Sequence, residues 1–269
     1  MMKIFNLIIL ILLSNSVLSQ KKNKKNIYPH STSAEQRLKG YNDRLNLNLK
    51  SIVKNISFRN IGPTVMSGRV VDLDINPDDP SHFYVAYASG GLWETKNHGN
   101  SFVSLFDNQM VMTIGDIKVD WQNDIIYVGS GENNSSRSSY SGNGIYKSVD
   151  NGKSWDNIGL QESHHIGRII IHPQNPDIIW VASLGHLYSS SNERGVYKSL
   201  DGGLTWTNKL YVNDYTGAID LVIDENNPEI LYASMWEKDR KAWNFDGSGI
   251  GSGIYLSLIH ISEPTRRPI

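Results

Sequence analysis

An eleven-residue phrase recurs along this chain at near-constant spacing, and no other feature narrows the possible folds as much. Ile145 to Trp155 reads Ile-Tyr-Lys-Ser-Val-Asp-Asn-Gly-Lys-Ser-Trp, and Val196 to Trp206 reads Val-Tyr-Lys-Ser-Leu-Asp-Gly-Gly-Leu-Thr-Trp. A third copy, Leu92 to Phe102, keeps the outline with Asn and Phe replacing Asp and Trp. The shared pattern is Ser/Thr-x-Asp-x-Gly-x-x-Trp. It falls on Ser148, Asp150, Gly152 and Trp155, on Ser199, Asp201, Gly203 and Trp206, and on Thr95, Asn97, Gly99 and Phe102. Copies start about fifty residues apart, a period of propellers, solenoids and arrays. The Tyr-Lys-Ser run alternates like a strand with one buried face. Asp followed by Asn-Gly or Gly-Gly is turn chemistry: Asp accepts from local N–H groups and Gly supplies positive φ. The Trp is expected to fold back over the turn and bury its ring.

Two further strand-like stretches precede each copy, and a fourth follows it. The first (A) begins at Gly68, Gly115, Gly167 and Gly217, and the second (B) at Phe83, Ile125, Ile178 and Ile230. The repeated phrase is C, and D follows the Trp. Four short strands with tight turns predict an all-β chain, a multi-bladed β-propeller of four-stranded antiparallel blades, incomplete here. Residues 55–255 supply about four blades, the fourth incomplete. Strand alternation puts the A–B and C–D turns at one end of the blades and the B–C and D–A connections at the other. The long irregular loops, Glu132 to Gly142, Gly185 to Gly195 and Met235 to Gly253, are all B–C connections. Function commonly resides in such loops on a rigid scaffold. The candidate ligand-binding residues are therefore Glu132, Asn133, Arg137, His165, Arg168, His186, Arg194, Trp236 and Arg240. Their mix of aromatic, cationic and acidic groups suits a peptide, protein or carbohydrate ligand.

Composition limits the alternatives. The formal net charge is −1 over 269 residues, which argues against a nucleic-acid partner. No cysteine is present, so thiolate chemistry and disulfides are excluded. No metal-ligand spacing stands out and no cofactor is expected. Lys3, the apolar run Ile4 to Leu13 and Val17-Leu18-Ser19 read as a signal peptide over 1–19, too short for a transmembrane anchor. That reading makes the protein exported: periplasmic, cell-surface or secreted in a bacterium. Residues 20–54 read as a Lys-rich linker and a short amphipathic helix, with Leu38, Tyr41, Leu45 and Leu49 expected to pack on the propeller. The expected Lys-Ser-x-Asp does not follow Tyr255. Leu256 to Arg266 instead resembles a translated sequencing-library adapter, so 256–269 is expected to be non-native, with the native frame continuing.

The repeated turn resembles the Asp box of sialidases and BNR-repeat propellers. Arg59-Asn60-Ile61-Gly62-Pro63, Ser89-Gly90-Gly91-Leu92-Trp93, Gly129-Ser130-Gly131-Glu132, His165-Ile166-Gly167-Arg168, Leu184-Gly185-His186 and Arg194-Gly195-Val196-Tyr197-Lys198 extend the likeness. Through them the chain resembles bacterial sortilin-type BNR/Asp-box propellers, often described as glycosyl-hydrolase-like. The resemblance implies a larger propeller that binds ligands, chiefly peptides. The competing reading is a glycoside hydrolase of xyloglucanase or sialidase type, whose catalytic acids are expected to lie partly in the missing C-terminal part. In similar xyloglucan-degrading enzymes a catalytic Asp begins an Asp-x-Gly-Gly motif, and here that position is Ala88. Arg69, Arg137, Arg168 and Arg194 match no sialidase motif. Glu132 is the single candidate acid, and a glycosidase needs two. A binding module is accordingly preferred to an enzyme, and a ligand-free adhesion or scaffold propeller is the third reading.

Overall fold

The structure, a computed structural model, describes residues 31–56, 68–258 and 265–267. The expected signal peptide, most of the linker, the strand expected at Ile56 to Ile61 (Ile56 excepted) and the Arg59 to Pro63 motif lie outside them. No helix among the described residues is long and apolar enough to cross a membrane.

The chain is an incomplete β-propeller. Four sheets of four strands follow one another in chain order. The first joins β1 (Val70–Ile75), β2 (Phe83–Tyr87), β3 (Gly91–Thr95) and β4 (Val103–Ser104), and the second β5 (Ile114–Asp120), β6 (Ile125–Ser130), β7 (Ile145–Ser148) and β8 (Asp156–Asn157). The third joins β9 (Ile166–His172), β10 (Asn175–Ser183), β11 (Gly195–Ser199) and β12 (Thr207–Leu210). The fourth is β13 (Thr216–Ile223), β14 (Ile230–Glu237), β17 (Gly253–Leu258) and β18 (Thr265–Arg267). Between β14 and β17 the chain makes a small ribbon, β15 (Asp239–Arg240) with β16 (Phe245–Asp246). All pairings within the blades are antiparallel.

The apolar core lies between blades. Tyr84, Ala86 and Leu92 of blade one meet Ile117, Val119 and Ile126 of blade two. Ile145 and Tyr127 meet Ile169, Ile179 and Val181, and Trp180 and Val196 meet Leu221, Leu231 and Tyr255. A sheet buried on both faces explains the near-continuous apolar run of each B strand.

Each innermost strand carries a β-bulge at the corresponding place. The pairing skips Val71, Gly115, Gly167 and Ile219, leaving one unopposed residue in each A strand. A bulge re-aims the residue that follows it, here Asp72, Asp116, Arg168 and Asp220. These side chains replace the backbone bonds missing between inner strands of neighbouring blades. Asp72 Oδ2 accepts from the Ile117 N–H at 3.1 Å, and Asp116 Oδ2 accepts from the Ile169 N–H at 2.6 Å. Arg168 donates to Asp116 Oδ1 at 2.9 Å and to Asp220 Oδ1 at 2.7 Å. Burial, followed by the Asp72 charge, pushes the Asp116 carboxyl well above its ordinary value, against the pull of Arg168.

The repeated turns form one network three times. Ser148 Oγ donates to Asp150 Oδ1 at 2.8 Å and accepts from the Gly152 N–H at 2.8 Å, while Asp150 accepts from the Ser154 N–H at 2.9 Å. Ser199, Asp201, Gly203 and Thr205 repeat these contacts. In the variant copy Thr95 and Asn97 do the same, and the Asn97 amide donates to Ser101 Oγ at 2.9 Å. The closing tryptophan does more than cover its own turn. Trp155 Nε1 donates to the Leu105 carbonyl at 3.0 Å and Trp206 Nε1 to the Ile158 carbonyl at 2.8 Å, each in the preceding blade. Phe102, without an N–H, packs edge-on against Phe83 of its own blade.

Two expectations change. Helix α1 (Ala34–Lys50) forms, capped by Ser33, yet Leu45 and Leu49 are exposed. Its N-terminal half makes the contact through polar groups: Arg37 donates to the Gly142 and Gln161 carbonyls, and Ala34 N–H to Glu162 Oε1 at 2.6 Å. The sequence also ends blade four after three strands, whereas β18 pairs with the outer edge of β17. An open strand edge accepts any extended segment within reach, because its unpaired N–H and C=O groups ignore side-chain identity.

Candidate functional site

Alternation along the strands brings the B–C loops and D–A connections to one end of the blades. Contacts between them follow from that placement. Glu132 sits one residue past the left-handed Gly131 that ends strand β6 (φ +88°), and its N–H donates to Thr113 Oγ1 at 3.1 Å. Its side chain is 1% exposed and pairs through Oε1 with Arg69, whose Nε lies at 2.8 Å. The Glu132 carbonyl meets His165 Nδ1 at 2.6 Å, tying the B–C loop to the D–A connection. Asn133 Nδ2 donates to the Gly167 carbonyl at 3.2 Å. Glu132, Asn133 and His165 therefore share one corner, as the topology requires.

A second corner adjoins it. Arg194, 1% exposed, extends beneath the third blade's loop and donates to the carbonyls of Leu184, His186 and Ser189. Lys238, 2% exposed, reaches the same His186 carbonyl at 3.3 Å from the fourth blade. Two cations thus share one carbonyl, with no carboxylate ion pair to either among the described residues. Burial, aided by Arg194, lowers the Lys238 ammonium to about 7, and burial brings the Arg194 guanidinium down to about 10. His186 places Nδ1 at 2.8 Å from Ser189 Oγ and Nε2 at 3.1 Å from the Glu162 carbonyl, and its ring stacks on His164. Burial holds His164 at about 2 and His165 at about 3, so both imidazoles are neutral at physiological pH.

The remaining candidates are dispersed. Arg137 is exposed, and its carbonyl accepts from Tyr188 Oη at 3.0 Å. Trp236 Nε1 donates to the Gly247 carbonyl at 2.8 Å and its ring meets Phe245 edge-on, while Arg240, the cross-strand partner of Phe245, lays its guanidinium over that ring, 4.7 Å from its centre. Both thereby stiffen the β15–β16 ribbon. Arg168 is occupied between Asp116 and Asp220 on the inner strands. Ala88, at the position compared with a catalytic Asp, is 1% exposed. Lys238, Glu162 and the Arg69 partnership were not found in the sequence. Lys238 stands in Glu-Lys-Asp-Arg-Lys, which reads as a solvated charge run.

This end is short of hydrogen-bond partners. Among the described residues, Arg37 Nε, Glu132 Oε2, Ser135 Oγ, Ser163 Oγ, His164 Nε2, Arg194 Nε and Arg240 Nε are buried without one. Ser148, Asp150, Ser199 and Asp201, at the opposite end, are each bonded. Each long loop also carries an exposed aromatic: Tyr140, Tyr188 and Trp243. A depression of about 420 Å³ lies beside the third blade's loop, lined by Asn192, Asn208, Lys209 and Tyr211.

The class defined by fold and site is a β-propeller with a polar loop end whose long loops carry exposed aromatics. No protein-family model matches the chain, and no curated protein matches its sequence. Solved structures match its shape. They include an ancestral GH74 enzyme (TM-score 0.56, 19% identity, over 76% of this chain and 26% of that one). They also include the GH74 xyloglucanase from Xanthomonas campestris (0.53, 16%, 75% and 30%) and the GH74 enzyme of Niastella koreensis (0.53, 20%, 73% and 30%). The chain spans between 26% and 30% of the length of these three structures. At such identities the likeness is one of fold.

Proposed function

We propose that the chain is part of an exported, sortilin-like β-propeller that binds a glycan or peptide at the end built from the B–C and D–A loops. The observation that carries this reading is the concentration of buried, unpartnered polar atoms there. Buried polar groups are nearly always paired, so a group of exceptions marks a place where water or a ligand completes the bonding. Aromatic faces at Tyr140, Tyr188 and Trp243 on the long loops suit a sugar ring, and the xyloglucanase-like fold favours a glycan over a peptide. Export rests on Lys3, the apolar run to Leu13 and the small-residue site at Ser19.

Hydrolysis is the second reading, favoured by the buried, unpartnered Glu132 Oε2 and by the GH74-like fold. Among the described residues no second acid is assigned to it. A glycosidase requires two carboxylates about 5–10 Å apart across the scissile bond, and Arg69 already holds Glu132. The test is a binding titration against oligosaccharides and peptides, with product release followed on the same samples. Saturable glycan binding lost in Trp243→Ala and Tyr140→Ala, without product, is the expected result. Binding unchanged in both variants would place the ligand elsewhere, and product formation abolished by Glu132→Gln would make the protein an enzyme.

A further inference from the structure

We propose that Glu162, His164 and His186 form a binding site for a divalent cation of the Zn²⁺ class. Glu162 and His164 lie in the D–A connection after β8, and His186 in the B–C loop after β10. One ligand atom from each lies within 4.8 Å of the others. Carboxylate oxygen and imidazole nitrogen are the donors that borderline-soft cations select, and two His with one Glu is an established zinc set.

Three details favour a ligand role over simple packing. His164 Nε2 is buried without a hydrogen-bond partner, yet it faces Glu162 Oε2 at 3.7 Å. That distance is too long for a hydrogen bond and close to the donor spacing of about 3.4 Å around a tetrahedral zinc. His164 is also one of the few non-glycine residues with left-handed backbone, at φ +58°. Such a conformation costs on the order of 1 kcal/mol and persists where surrounding structure demands it. The stack of the His164 ring on His186, with centroids 3.7 Å apart, has to open for both rings to point at one ion. Finally, Ser189 Oγ at 2.8 Å holds His186 Nδ1, the kind of outer partner that orients a metal-bound imidazole.

Binding needs His186 Nε2 to leave the Glu162 carbonyl and the donors to draw together by about 1 Å. Arg37 opposes it, with Nη2 at 3.5 Å from Glu162 Oε2, as does the nearby Arg194 charge. Arg37 keeps the Gly142 and Gln161 carbonyls when displaced. Three protein ligands leave one tetrahedral position for water or a ligand oxygen. Because Glu162 Oε1 also receives the Ala34 N–H, the cation would fix the start of helix α1 to the loop end of the propeller. The sequence gives no hint of this, since the donors come from two loops joined only by the fold.

Cobalt(II) and zinc titrations of the full chain test the site. The expected result is one cation per chain with the intense visible absorption of tetrahedral cobalt, and slower amide exchange in α1 on zinc addition. His164→Ala and Glu162→Gln each weaken binding about tenfold or more, while His98→Asn, in an exposed turn at the opposite end, leaves it unchanged. Should His164→Ala disturb the metal-free fold, His164→Asn, which tolerates left-handed backbone, takes its place in the comparison. Binding of equal strength in wild type and all variants, or absence of the tetrahedral cobalt spectrum, overturns the assignment.

Discussion

Asp150 and Asp201 illustrate how one side chain can define a turn. Each accepts from a hydroxyl and an N–H four residues on, in Ser154 and Thr205 respectively. Those bonds bring both carboxyls down from the ordinary 3.8 to about 2. A depressed acid favours the fold above its unfolded pKa, and the contribution disappears as the pH falls through the folded value. Melting temperature should therefore fall between about pH 4 and pH 2, and the double variant Asp150→Asn, Asp201→Asn should flatten that part of the curve. Asn97 occupies the same place in the first copy, so the amide fits. Lys238 has the opposite sign. Its pKa drops from 10.5 to about 7 because burial penalises the ammonium. The unfolded chain binds the proton more tightly over that interval, so stability rises from pH 7 towards pH 10. Lys238→Met should raise the melting temperature at neutral pH and remove that rise. An unchanged slope would mean that Lys238 is hydrated. The turn aspartates were legible because their partners lie within four residues. Lys238 was not, because what buries it is a loop some fifty residues earlier.

Among the elements, the bulged inner strands impose the tightest limits. A Cβ on Gly115 would land on the Ile166 carbonyl oxygen, and one on Gly167 on the Ile219 carbonyl oxygen. Neither backbone can retreat without parting two blades. Gly115→Ala should cost about 3 kcal/mol or prevent folding. Gly40, in helix α1 with nothing within 4 Å, should gain about 0.5–1 kcal/mol on the same change. Chemical denaturation of the pair separates crowding from backbone propensity. The tryptophan ties offer a second comparison. Trp206→Phe keeps a ring but loses the N–H to Ile158, a loss of about 1 kcal/mol, whereas Trp206→Ala should cost about 3 kcal/mol. Equal effects would reduce the tie to ring packing. Period-two alternation and turn residues made strands and blades readable in advance. The bulges leave no local mark, since two of the four skipped residues are not glycine. Helix α1 misled for a related reason: its Leu spacing is genuine, but Arg37 and the Ala34 N–H find their partners in the propeller while Leu45 and Leu49 find none.

In the molecule as a whole, the arrangement of the core decides how the chain behaves in solution. Blades bury apolar faces against neighbours, and among the described residues the outer faces of blades one and four have none. On blade one Val70, Leu73 and Ile75 are 48%, 51% and 51% exposed, whereas Ile117 and Val119 of blade two are 1% and 6% exposed. On blade four Val222, Tyr232 and Ile254 are 59%, 42% and 45% exposed while Leu221, Leu231 and Tyr255, turned towards blade three, are buried. Contiguous exposed apolar surface on sheet faces favours association, and two unlike faces on one molecule join head to tail. Expressed as these 269 residues alone, the chain should therefore self-associate with rising concentration in sedimentation velocity. Placing charge on one face alone, with Leu73→Lys and Ile75→Lys, should block propagation and shift the distribution to small species. Charge on the other face, with Tyr232→Lys and Ile254→Lys, should do the same independently. If instead association depends on β17 and β18 rather than on these faces, it persists in both double variants, and the open sheet edge is what joins the molecules.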